Sequence, residues 1–251
     1  MNYILFDNPN RNHLLPLTFI RPVADIRIGI LTIREKWEKY LNAKTSTLTE
    51  EYLSKKHPII KGVRNTLING SICPTPELVK KVIKLKPNQA LVQGEQLIAI
   101  NLNEGDIDNL ESAENIEDIE INTPFLKIDY LWDIFSKNGE AIKEDFALLT
   151  QERESCKASV TNTLIHPENI FIEKGAKVEC SVLNATDGPI YIASGAEIME
   201  GSVIRGPFAL CEHATIKMAA KIYGPTTIGP YSKVGGEVNN CVIFGYSNKA
   251  H

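Results

Sequence analysis

Ile192, Ile198, Ile204, Leu210, Ile216, Ile222, Ile228 and Val234 put an aliphatic side chain at every sixth position of the chain. A period of six fits neither the 3.6-residue turn of an amphipathic helix nor the alternation of a half-buried strand. It predicts a parallel β-helix of hexapeptide repeats, each forming one flat side of a triangular coil. Four residues after each aliphatic one stands a mostly small residue, as tight corners require: Ala196, Ser202, Ala214, Ala220, Thr226 and Ser232, with Phe208 and Val238 as departures. Upstream, Ile172 and Val178 share the spacing, Asn184 is the next site and Ile190 continues it, before a two-residue shift to Ile192. The turn-rich stretch 184–189 is therefore expected to bulge from a corner. Such inserts sit on one face of a solenoid and often touch ligands; a bulge without function is the plainer alternative.

The first half has a different grammar, that of a mixed α/β domain. Tyr3 to Phe6 reads as a short strand ending at Asp7, followed by the polar, turn-prone run Asn8-Pro-Asn-Arg-Asn-His13. After Pro22, a helix is expected to align Ile26, Ile30, Ile33, Trp37 and Leu41 on one face. Thr75-Pro76-Glu77 is a helix start, with Thr as cap and Pro at the first position, and Leu78, Val82 and Leu85 supply its buried stripe. Residues 90–102, with Gly94 between two apolar runs, read as a hairpin. The acidic stretch 101–122 reads as a solvated loop, and a helix is expected from Tyr130 to near Leu149. The boundary falls between an α/β domain at 1–150 and a coil at 151–251.

Composition adds limits. With 251 residues, 43% of them hydrophobic, and a formal charge of −4, the chain is expected to be globular, with no general nucleic-acid surface. Cysteines 73, 156, 180, 211 and 241 are dispersed without CxxC spacing, which predicts reduced thiols, many of them buried, and a cytoplasmic location. No apolar run reaches the roughly 18 residues of a membrane span.

A small α/β domain followed by a left-handed β-helix resembles the bifunctional UDP-N-acetylglucosamine pyrophosphorylase and glucosamine-1-phosphate N-acetyltransferase family. Within it the chain is similar to an alternate bacterial branch of sugar nucleotidyltransferases. The closer resemblance is carried by Leu15-Pro-Leu-Thr-Phe-Ile-Arg-Pro-Val-Ala-Asp-Ile-Arg-Ile-Gly29, Gly235-Gly-Glu-Val-Asn-Asn-Cys241 and Gly245-Tyr-Ser-Asn-Lys-Ala-His251. It implies acetyl transfer from acetyl-CoA to glucosamine 1-phosphate on the coil and uridylyl transfer from UTP in the first domain. It also implies Mg2+ accompanying the nucleotide and a homotrimer.

The family pattern for acetyl transfer is Ser-x-x-x-His, with a glutamate fourteen residues and an arginine thirty residues before the histidine. Ser247 and His251 fit it, Glu237 stands in the glutamate position, and Lys221 replaces the arginine. The resemblance makes His251 the general base, a task suited to imidazole because its ordinary pKa, about 6.5, leaves it neutral and basic near neutrality. Lys221 keeps the charge without the two-pronged fork of arginine. Asn239 stands where a second phosphate-binding lysine is usual, so another amino sugar is an open alternative. The sequence stops at His251 without a capping element, which predicts a coil truncated at its C-terminus, lacking part of the acetyl-CoA site.

For nucleotidyl transfer the family has a Gly-rich loop after the first strand, where backbone can approach phosphate closely. The run 8–13 contains no glycine, and Arg11 and Arg21 are the cations available in its place. Asn69-Gly-Ser71 resembles the element that carries a metal-binding aspartate, but Ser71 occupies that position, and no metal ligand is identified. Two other readings stay open: a nucleotidyltransferase for a different sugar 1-phosphate whose coil only trimerises, and a sugar-nucleotide-binding protein without turnover.

Overall fold

A computed structural model of the chain describes residues 2–107 and 116–251. The chain forms two compact units: one of Met1–Ile26 with Thr32–Leu131, the other of Arg27–Leu31 with Trp132–His251. Among the described residues no helix is long and apolar enough to cross a membrane.

The first unit is built on one mixed sheet. Its strands are β1 (Asn2–Phe6), β2 (Thr45–Leu48), β3 (Arg64–Asn69), β4 (Gln89–Gln93), β5 (Gln96–Asn103) and β6 (Glu117–Glu120), in the spatial order β2-β1-β3-β5-β4-β6. β1 pairs in parallel with both β2 and β3, whereas β5 runs antiparallel to β3 and β4. The expected hairpin is thus β4–β5. The acidic stretch is not wholly a loop: β5 extends to Asn103 and Glu117–Glu120 forms a mostly exposed edge strand, while residues 108–115 lie outside the described residues. Ile4, Leu67, Ala90, Ile100 and Leu102 pack one core cluster of the sheet.

The helix expected after Pro22 begins later. Val23–Asp25 is a single 3-10 turn, and α1 covers only Ile33–Leu41. Thr32 fixes its start, accepting from the Glu35 amide at 3.2 Å while Glu35 accepts from the Thr32 amide at 2.7 Å. This reciprocal cap satisfies two amides that the helix itself cannot. Helix α3 (Pro76–Ile83), after the short α2 (Glu51–Ser54), is capped by Thr75 as expected and buries Leu78 and Val82.

The stretch expected as one helix from Tyr130 is two, α4 (Leu131–Ser136) and α5 (Asn138–Thr150), and from Trp132 onward it belongs to the second unit. The remainder is a left-handed β-helix of five coils, with three five-stranded, all-parallel sheets. The first face consists of Thr163–Ile165, Val182–Asn184, Val203–Arg205, Lys221–Tyr223 and Glu237–Asn239. The second runs from Ile170–Ile172 to Val242–Ile243, and the third from Lys177–Val178 to Asn248–Lys249. All eight aliphatic residues of the repeat are buried in one axial core, and the small residues two positions before them, Ala196 to Ser232, point in beside them.

Two register expectations are corrected. Leu183, not Asn184, is the inward residue after Val178, because that side of the coil is one residue short. Val238 is no corner residue but an inward partner of Ile222, because the chain closes its last sides in fewer residues. The insert falls between Leu183 and Ile192, where a corner was expected to bulge. Of the cysteines, Cys73 and Cys211 are buried, Cys241 is partly buried, and Cys156 and Cys180 are exposed, so fewer are buried than expected.

One corner of the coil is a column of Gly-Pro pairs, 188–189, 206–207 and 224–225. A Cβ on Gly206 would fall on the Gly188 carbonyl, and one on Gly224 would lie 2.7 Å from the Gly206 carbonyl carbon. Only glycine lets successive coils approach this closely. The second face is covered by α5, through Ile142 and Leu149 packed with Phe171, Tyr191 and Ala209.

Candidate functional site

Because β1, β2 and β3 are parallel, their carboxyl ends share one edge, the place where open α/β sheets bind ligands. Asp7 and Asn8 leave β1 there, Thr49 and Glu50 leave β2, and Gly70 and Ser71 leave β3. Asn8 Nδ2 donates to Asn69 Oδ1 and Ser71 Oγ, both at 3.2 Å. The structure thus brings together the two segments that the sequence places opposite a phosphate loop and a metal-binding element.

Asp7 is engaged on both oxygens. Oδ1 accepts from the Val23 amide at 2.8 Å and Oδ2 from the Thr49 hydroxyl at 2.6 Å. Burial pushes its carboxyl above the usual range, against the opposing pull of Thr49, Val23 and Arg11. Arg11 is 6% exposed; it donates to the Thr18 carbonyl at 2.8 Å and the Tyr52 hydroxyl at 3.2 Å. It also lies 3.4 Å from Asp7 and 3.5 Å from Glu50. Arg21 is half-buried, beyond the turn Leu17–Phe19.

A protein-held magnesium does not fit this edge. Ser71 Oγ donates to Asn69 Oδ1 at 2.8 Å, the Asp7 oxygens are taken, and the described residues contain no cluster of three His, Cys, Asp or Glu able to hold a metal.

Sequence reasoning missed a third segment at this edge. The Ile128 amide donates to the Ser71 carbonyl at 2.9 Å, which brings Lys127, Asp129 and Tyr130 alongside. Asp129 accepts from Asn10 Nδ2 at 2.7 Å and pairs with Lys127 at 2.8 Å, and Tyr130 stacks on His13 at 4.9 Å. No local signal announces a contact across more than a hundred residues. The tie is made by an isolated bridge between Ile72 and Lys127.

On the coil, Lys221, Glu237 and Asn239 share the outer side of the first face and are exposed. Lys221 is the register partner of Glu237, and Tyr223 that of Asn239. The Lys221 amide donates to the Gly236 carbonyl at 2.9 Å, and a Cβ on Gly236 would meet the His251 carbonyl carbon at 2.8 Å. Three positions separated by fourteen and sixteen residues therefore meet at one corner on successive coils. Arg205 lies on the same face, 3.4 Å from Asp187 of the insert. Two cavities, of about 300 Å³ beside Lys81 and Leu91 and about 340 Å³ beside Lys157 and Val178, share no lining residue with either edge.

The family model for sugar nucleotidyl transferases matches residues 3–154, more than half of the chain. The chain belongs to the sugar nucleotidyl transferase family. The match runs from Tyr3, within β1, through β6 and past the end of α5. No protein of curated function matches the chain.

Proposed function

We propose that this transferase makes an amino-sugar nucleotide, joining a sugar 1-phosphate to a nucleotide in the first unit and acetylating the sugar amine on the coil. On this reading glucosamine 1-phosphate, acetyl-CoA and UTP are the substrates. In nucleotidyl transfer a phosphate oxygen of the sugar attacks the α-phosphorus of UTP and pyrophosphate leaves. Arg21 and Lys127 supply positive charge to the phosphates, while Arg11 holds the 8–20 segment in shape around them. Magnesium, on this reading, arrives on the triphosphate.

In acetyl transfer the amine attacks the thioester carbonyl, a C–N bond forms, and the C–S bond breaks to release coenzyme A. His251 takes the proton that the amine loses. Lys221 and Asn239 hold the sugar phosphate, and Glu237 anchors the sugar beside them. The observation that carries this reading is the meeting of Lys221, Glu237 and His251 at one corner, with the family's spacing. A cytoplasmic homotrimer is the assembly this reading expects.

The test follows thiol release with glucosamine 1-phosphate and acetyl-CoA, and pyrophosphate release with UTP, in wild type and His251→Ala. Loss of a general base lowers acetyl transfer by about a hundredfold or more and leaves pyrophosphate release unchanged. Equal acetylation in both proteins would remove His251 from the chemistry. A second reading, a sugar-nucleotide-binding protein without turnover, is favoured by the internal partners that already occupy Asp7, Arg11 and Ser71. UTP binding without pyrophosphate release by wild type would select it.

A further inference from the structure

We propose that Tyr52, with Phe19 and Ile20, forms the platform on which the base of the nucleoside triphosphate rests. The inference deepens the nucleotidyl reading of the first unit and depends on it. Tyr52 is 58% exposed, Phe19 57% and Ile20 62%. Exposed large apolar groups usually scatter singly over a protein surface, whereas Tyr52 is anchored at the residue that precedes Phe19 and Ile20.

The three are neighbours through Thr18. The Tyr52 hydroxyl accepts from Arg11 at 3.2 Å and lies 3.5 Å from the Thr18 carbonyl, one residue from Phe19. The phenol end is therefore tied down while the ring stays open to solvent. Arg11 also reaches Asp7, at the carboxyl end of β1, so the apolar trio stands beside the edge where a triphosphate binds. Tyr130, 40% exposed at the same edge, already has one face against the His13 ring. Ile60 and Val63, 63% and 81% exposed, belong to the amino end, where the Ile60 carbonyl accepts from Asn2 at the start of β1.

A ring held at one end and bare on its face suits stacking, which any base can use because every base has a π-face. The platform thus fixes where the base sits and leaves its identity to other groups. An anion without a base separates the two parts of the ligand. Calorimetric titration of the full chain with UTP and, separately, inorganic tripolyphosphate tests the proposal in wild type, Tyr52→Leu and Tyr52→Phe, with thermal melts to verify folding.

The expected result is UTP binding weakened about tenfold by Tyr52→Leu, tripolyphosphate binding unchanged, and UTP binding largely kept by Tyr52→Phe. Unchanged UTP affinity in Tyr52→Leu would overturn the platform. So would an equal loss for tripolyphosphate, which would make Tyr52 a support of the phosphate loop, or an equal loss in Tyr52→Phe, which would assign the effect to the phenol. Failure of the wild type to bind UTP would overturn the nucleotide reading of the unit itself, and the platform with it.

Discussion

Arg11 shares one guanidinium among the Thr18 carbonyl, the Tyr52 hydroxyl, Asp7 and Glu50. Removing it leaves the Asp7 carboxylate, only 4% exposed, without its cation. Breaking a buried pair from one side costs about 3–5 kcal/mol, so Arg11→Met is expected to lower stability by that order in urea unfolding. Asp7→Asn in the same chain should restore part of the loss, since the two changes are coupled. The sequence marks Arg11 as a cation following the first strand. It does not disclose the partners at 18, 50 and 52, which converge only once β1 and β2 lie side by side. Gly206 is the opposite case, a residue defined by what it lacks. Gly206→Ala sets a side-chain carbon against the Gly188 carbonyl. With backbone on both sides unable to yield, the cost is expected at the upper end of the roughly 1–3 kcal/mol of overpacking, read as a lowered melting temperature.

At the scale of elements, local chemistry outweighed apolar spacing. Ile26, Ile30 and Ile33 sit at helical intervals, yet the Thr32–Glu35 cap sets the start of α1 and leaves the first two outside it. The cap is itself readable as T-x-x-E, a stronger signal than the spacing. In the coil, Leu183 and Val238 escaped the period of six because their sides are shortened, and a fixed period is blind to a missing residue. Helix α5 meets the second face over Phe171 and Tyr191, next to Glu173, which accepts from the Tyr191 hydroxyl at 2.6 Å, from Arg153 at 2.7 Å and from the Ser194 amide at 2.9 Å. Burial pushes the Glu173 carboxyl up, but these bonds together hold it below its ordinary value. A depressed carboxyl stabilises the fold above its unfolded pKa, about 4.3, and ceases to do so as pH falls through the folded value. The melting-temperature advantage of wild type over Glu173→Gln is therefore expected to be full at about pH 6 and to shrink towards about pH 3.

Across the whole molecule, the architecture of the coil was legible because its core repeats, whereas Lys221, Glu237 and His251 were singled out only by the family resemblance, their spacings of sixteen and fourteen departing from the eighteen-residue coil. The carboxyl edge of the first sheet was legible only in part, since Lys127, Asp129 and Tyr52 reach it through tertiary contacts that leave no periodic trace. The two edges lie in different units, so His251→Ala and Tyr52→Leu should separate their functions, each variant losing what the other keeps. The coil also constrains how the chain can change in length. From Ile192 to Ile228 on the second face and from Ile198 to Val234 on the third, register partners are eighteen residues apart. Gain or loss of a single codon there would turn the inward side chains of that side outward, unless a corner took up the change as the shortened sides at Leu183 and Val238 do elsewhere in the coil. Substitution can proceed one residue at a time along the outer faces, but growth of this segment is quantised. Lineages of this protein should differ there by whole coils, the product of tandem duplication, and hardly ever by one or two residues.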